Sequence, residues 1–222
     1  MTKIGGMRAA LLRWTLIAAA LALALNAQVN TKQGVDGTVT VKKIPLYVKI
    51  CGFLYRDYQY GRLAGEITRG VPGDSEKVTA LYLWTRENIR RPPEGFTVVD
   101  DHIWNIVIRG YGCADQASDV FTTLASYAGY EAFWEKCFIK GVKGSVILSF
   151  VFVNGNWSVF DVDNGRAFPG GKALDAAAPS GRSYSEYMAA LDKGLFKRQL
   201  RRPDKQKIFG RIVYEARKLT GR

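Results

Sequence analysis

The segment Arg109-Gly110-Tyr111-Gly112-Cys113-Ala114-Asp115-Gln116-Ala117 sets two glycines before a cysteine that opens an amphipathic run. From Ala117, the residues Val120, Phe121, Leu124, Ala125 and Ala128 recur at i+3, i+4, i+7, i+8 and i+11, the repeat of one helix face, and Gly129 stands where a C-terminal stop belongs. This spacing predicts a helix with Cys113 at its N-terminus. There the unpaired N–H groups and the backbone dipole favour a thiolate, and the glycines let a substrate or a neighbouring chain approach the backbone. A cysteine packed as a small hydrophobe at a helix start fits the same local sequence, so both readings stay open.

Working outward, strands are expected over Ala132 to Ile139, Val146 to Val153 and Asn156 to Val162, with Asn154-Gly155 as a two-residue hairpin turn. That turn sets a register in which Val153 faces Asn156, Phe152 faces Trp157, Phe150 faces Val159 and Leu148 faces Asp161. Val146, Leu148, Phe150, Phe152, Trp157, Val159 and Asp161 then share one face. A carboxylate among such neighbours is costly unless it is paired or hydrogen-bonded. Upstream, Val78, Leu81, Leu83, Trp84 and Ile89 predict a packing helix capped by Asp74 or Ser75 and ending before Pro92-Pro93. Tyr58 to Arg69 reads as a weaker helix interrupted by Gly61 and Gly65, and Val41 to Leu54 as a loosely alternating strand.

The order of these elements, with the glycine-preceded Cys113, the helix ending Ala128-Gly129-Tyr130 and the hairpin ending in Asp161, resembles the transglutaminase-like superfamily. The resemblance covers roughly Ser75 to Gly165. It implies an α+β, papain-like fold in which a cysteine at a helix N-terminus packs on an antiparallel sheet. It also implies chemistry: a cysteine attacks an amide or ester carbonyl, a strand histidine takes its proton, and an aspartate on the next strand orients the histidine. Cys113 matches the nucleophile position and Asp161 the orienting position. Counting back from Trp157, the histidine position falls on Val146, which the hairpin register puts diagonally across from Asp161. Valine neither accepts a proton nor hydrogen-bonds a carboxylate, and losing the base of such a triad costs several orders of magnitude in rate.

The chain's one histidine, His102, lies eleven residues before Cys113. A rearranged Cys113–His102 pair competes with an exposed loop histidine beside Asp100 and Asp101, and Trp104 reads as core or as a wall of the cleft. One histidine and three scattered cysteines give no metal-ligand spacing, and no phosphate loop or dinucleotide fingerprint is present, so neither metal nor cofactor is expected.

The formal net charge of +12 is unevenly placed. Lys3, Arg8 and Arg13 precede an apolar run from Trp14 to Leu25, and eleven Lys/Arg against Asp204 and Glu215 follow from Lys193 on. The middle of the chain is balanced, which argues against a nucleic-acid partner. Residues 1–27 read as a cleaved signal peptide or a signal anchor, 28–38 as a linker, 39–181 as the domain and 182–222 as a basic helical segment. The expected location is therefore extracytoplasmic. Lys197, Arg198, Arg201, Arg202, Lys205 and Lys207 suit anionic lipid or an acidic envelope polymer, and a peptide or protein ligand suits the Cys113 cleft. An odd cysteine count in an exported chain suggests a Cys51–Cys137 disulfide with Cys113 left over. The function expected is a membrane-associated, non-catalytic binding or scaffold module with a degenerate triad. The alternative is an active cysteine acyl-transferase or peptidase using Cys113 with His102.

Overall fold

The computed structural model describes residues 3–100, 102–138 and 145–168; the basic segment expected over 182–222 lies outside the described residues. The chain divides into two compact units, one formed by the residues up to Tyr58 with Val99 and Asp100, the other by Gln59–Val98 and the chain from His102 on.

In the first unit, α1 (Lys3–Asn26) carries Leu11, Leu12, Trp14, Leu16, Ile17, Leu21 and Leu23 exposed. No described helix is long and apolar enough to cross a membrane. Strands β1 (Gln28–Val35) and β2 (Thr38–Pro45) form an antiparallel hairpin where the sequence suggested a linker. The turn explains the correction: Asp36 (φ 47°) and Gly37 (φ 79°) both adopt the left-handed backbone of a tight hairpin turn, which Asp-Gly favours. Helix α2 (Leu46–Thr68) begins directly after Pro45. The expected strand over Val41 to Leu54 is thus strand only as far as Pro45. The short strand β3 (Val99–Asp100) pairs with β1, and Gly34 lets it approach, because a Cβ there would lie 3.0 Å from that of Asp100. Cys51, on α2, is an exposed free thiol, which corrects the expected Cys51–Cys137 disulfide: its part of the helix turns the side chain to solvent.

In the second unit, the C-terminal part of α2 buries Tyr60 and Ala64 despite the glycines at 61 and 65. Helix α3 (Asp74–Asn88) follows, capped by Gly73 at φ 76° rather than by Asp74 or Ser75; the Asp74 carboxylate instead accepts the Tyr130 hydroxyl at 3.0 Å. Helix α4 (Ile103–Arg109) was not foreseen and stops at Gly110, whose φ of 72° ends it in the left-handed conformation. Helix α5 (Ala114–Tyr127) is the helix read from the Ala117 periodicity. The sheet is antiparallel in the order β4 (Glu131–Phe138), β5 (Ser145–Val153), β6 (Asn156–Asp161), β7 (Arg166–Phe168).

The β5–β6 register runs from Val153 opposite Asn156 to Ser149 opposite Phe160, with Asn154 and Gly155 both at positive φ, as the Asn-Gly turn requires. Val151, Val153, Phe160 and Val162 join Val78, Leu81 and Tyr82 of α3 and Val120, Phe121 and Leu124 of α5 in one buried core. Phe160 is central: its ring meets Phe121 edge-on at 4.9 Å between centroids and lies 5.2 Å from Tyr82. Phe160→Ala should therefore destabilise the protein by about 3–5 kcal/mol in chemical denaturation. Phe152→Ala, at a position 39% exposed, should cost well under half as much.

Candidate functional site

The site is built at the α4–α5 junction. Gly110 ends α4, and Gly112 packs so closely that a Cβ would lie 2.9 Å from Gln116 Cβ and 3.1 Å from Ile106 Cγ2. Two backbone bonds tie this turn to the chain beyond α3, with Arg90 N–H donating to the Gly110 carbonyl at 3.0 Å and Gly112 N–H to the Arg90 carbonyl at 2.9 Å. Cys113 is the N-cap of α5, as expected.

Its surroundings are less expected. Gln116 Oε1 accepts the Cys113 backbone N–H at 3.2 Å, half of a capping box with cysteine in the place usually held by serine or threonine. The Gln116 N–H, which faces the sulfur in such a box, also donates to Asp115 Oδ1 at 2.9 Å. The Cys113 thiol titrates above its ordinary range: desolvation by burial acts first, the Asp115 charge adds to it, Arg109 opposes it, and Asp163 adds again. Burial and two carboxylates thus outweigh one guanidinium. At neutral pH the group is a thiol, not the thiolate that the helix start alone would favour.

Asp163 and Gln116 are the site residues that sequence reading missed. Asp163 is gripped by Arg91, whose Nε and Nη2 donate to its two carboxylate oxygens at 2.7 Å each, and this contact raises the Arg91 pKa. Nothing local in the sequence marks a pair 72 residues apart. Gln116 was legible in principle, because Cys113-x-x-Gln116 has capping-box spacing.

Asp161 is 1% exposed, as the face it shares demanded, and its charge is satisfied by its own turn. Asn164 N–H donates to Oδ1 at 3.0 Å, and Asn164 Nδ2 reaches Oδ1 at 3.2 Å and Oδ2 at 2.9 Å. On the strand, Asp161 pairs with Arg166 of β7. Val146 lies on β5 opposite Cys137 of β4 and is half-buried. By strand alternation Val146 and Asp161 belong to the sheet face that also carries the buried Leu148, Phe150 and Val159, whereas α3 and α5 pack on the opposite face through Val151 and Phe160.

His102 is exposed and caps the far end of α4, its carbonyl accepting the Asn105 N–H at 2.8 Å. The seven residues of α4 separate its backbone from Gly110 by about 10 Å of helix rise. Trp104 is core: it is 9% exposed and meets Tyr60 edge-on at 5.6 Å. No metal-holding group of His, Cys, Asp and Glu occurs among the described residues.

Chemically, this arrangement offers a neutral thiol within electrostatic reach of Asp163, which Arg91 holds. The Cys113 backbone N–H, a donor next to the sulfur, is engaged by Gln116 Oε1. Two outcomes follow. Asp115→Asn removes a like charge and should lower the pH midpoint of Cys113 alkylation, speeding iodoacetamide labelling at neutral pH. Asn164→Ala strips the two side-chain hydrogen bonds from a buried carboxylate, leaving the backbone one in place, and should destabilise the fold by about 1–2 kcal/mol in urea denaturation.

A model of the transglutaminase-like superfamily core matches residues 61–162. Among solved structures, the chain is similar to a candidate cysteine protease from Cytophaga hutchinsonii, at 14% identity and a TM-score of 0.43, over 55% of this chain and 45% of that one. A candidate protease from Parabacteroides distasonis matches at 13% identity and a TM-score of 0.37, over 63% of this chain and 39% of that one. A structure named as a TGase matches at 10% identity and a TM-score of 0.38, over 60% and 43%. The chain thus aligns with less than half the length of each of these proteins. No curated protein matches. Residues 61–162 are thus similar to the core of the transglutaminase-like superfamily.

Proposed function

We propose that this protein is an exported, membrane-associated component of the cell envelope whose transglutaminase-like domain binds a peptide or protein ligand at the Cys113 cleft without transforming it. The observation that carries this reading is Val146, which stands where the superfamily pattern calls for the general base. A thiol held protonated, with its backbone N–H engaged by Gln116, supports the same reading. On this reading the site lacks a group to take the proton from sulfur. Export and membrane association are supported by the cationic start and apolar run of residues 3–25, and the cations from Lys197 to Lys207 suit anionic lipid or an acidic envelope polymer.

One observation favours a second reading: a cysteine is kept at a helix start behind two glycines. On that reading Cys113 works with His102 as an acyl-transferase or peptidase. The purified full-length protein, offered peptide amides and activated esters with and without a primary amine, discriminates between them. The binding-module reading predicts no turnover above the Cys113→Ala background. Turnover that Cys113→Ala and His102→Ala both abolish would establish the enzyme instead.

A further inference from the structure

The first unit contains a helix that turns a broad apolar arc to solvent. Over residues 46–58 of α2, at 3.6 residues per turn, Tyr47, Val48, Ile50, Cys51, Leu54, Tyr55 and Tyr58 fall within one arc of about 160°. All seven are exposed, Leu54 by 58% and Tyr58 by 65%. The opposite side, with Gly52, Phe53, Arg56 and Asp57, is half-buried, and Lys49 donates to the Asn30 carbonyl of β1 at 2.8 Å. A helix that only completed a soluble fold would turn its apolar arc inward. This one turns it out, and a contiguous exposed apolar patch marks a contact surface.

We propose that this arc of α2 is an interfacial membrane contact, lying in the headgroup region of an anionic bilayer. Three observations choose lipid as the occupant. The arc mixes aliphatic residues with three tyrosines, the amphipathic aromatic chosen at membrane–water boundaries. The exposed Lys42 and Lys43 immediately precede the helix and supply cations for anionic headgroups. The arc also begins where the exposed apolar helix α1 ends, because Leu46 N–H donates to the Ala27 carbonyl at 2.9 Å. Segments with apolar surface outward therefore meet at one point, and a single bilayer surface can receive both. The proposal rests on the membrane association inferred above and names the surface responsible. It does not depend on whether Cys113 is catalytic.

Cys51 sits within the arc and is a free thiol, so it can report directly. Full-length protein carrying Cys113→Ser and Cys137→Ser is labelled at Cys51 with an environment-sensitive fluorophore. It is then mixed with vesicles of phosphatidylcholine alone or with phosphatidylglycerol added. The expected result is a blue shift, a several-fold rise in emission and protection from iodide quenching, stronger with the anionic lipid and reduced by Leu54→Lys. The same label at position 49, in a Lys49→Cys, Cys51→Ser background, should stay open to iodide. If the protein sediments with vesicles while Cys51 remains quenchable, the arc is not the lipid contact, although membrane association stands. If Cys51 becomes protected without vesicles, in step with protein concentration, a second copy is the occupant and the proposal fails. Failure to sediment with either vesicle overturns the proposal together with the membrane reading.

Discussion

Phe160 cannot be buried twice, and the choice of what covers it organises the second unit. Its ring packs between Phe121 of α5 and Tyr82 of α3, fixing which face of the β5–β6 hairpin meets the helices. Because side chains alternate along a strand, that choice assigns every neighbour a side: Val151, Val153 and Val162 to the helices, Leu148, Phe150 and Val159 to the other face. Burial also sets the chemistry of Tyr82, whose hydroxyl is pushed up to about 12 by desolvation. The packed α5 then holds Cys113 at a defined place, and the Gly110 and Gly112 backbone lets the chain turn sharply into it.

From this geometry the electrostatics of Cys113 follow as a competition. Arg109 favours the thiolate, and burial, Asp115 and Asp163 disfavour it. The second set wins. On the reading proposed above, position 146 is where an imidazole would accept the proton and tip the balance, and a valine there cannot do so. The carboxylate at 161 remains buried, and its hydrogen bonds to Asn164 give it a structural occupation, holding the turn between β6 and β7.

Much of this was legible in the sequence. The Ala117 periodicity and Asn154-Gly155 are local signals whose physics is complete within a dozen residues, and both α5 and the hairpin register emerged as expected. The transglutaminase-like pattern drew on the same segment. What escaped has two causes. The Asp36-Gly37 hairpin carries mostly polar residues, so its strands lacked an apolar alternation and its turn signal was overlooked. The Arg91–Asp163 pair and the end of α4 depend on chain segments brought together only by folding. His102 illustrates the limit from the other side: its sequence distance from Cys113 left a pairing open, and the intervening α4, unforeseen, gives that stretch a rigid length.

The central claim is that no imidazole activates Cys113. The most direct measurement is the rate of Cys113 alkylation against pH in the full-length protein and in its His102→Ala variant. The account predicts a single midpoint above the ordinary thiol range, the same in both proteins. A midpoint near neutrality that rises when His102 is removed would contradict it.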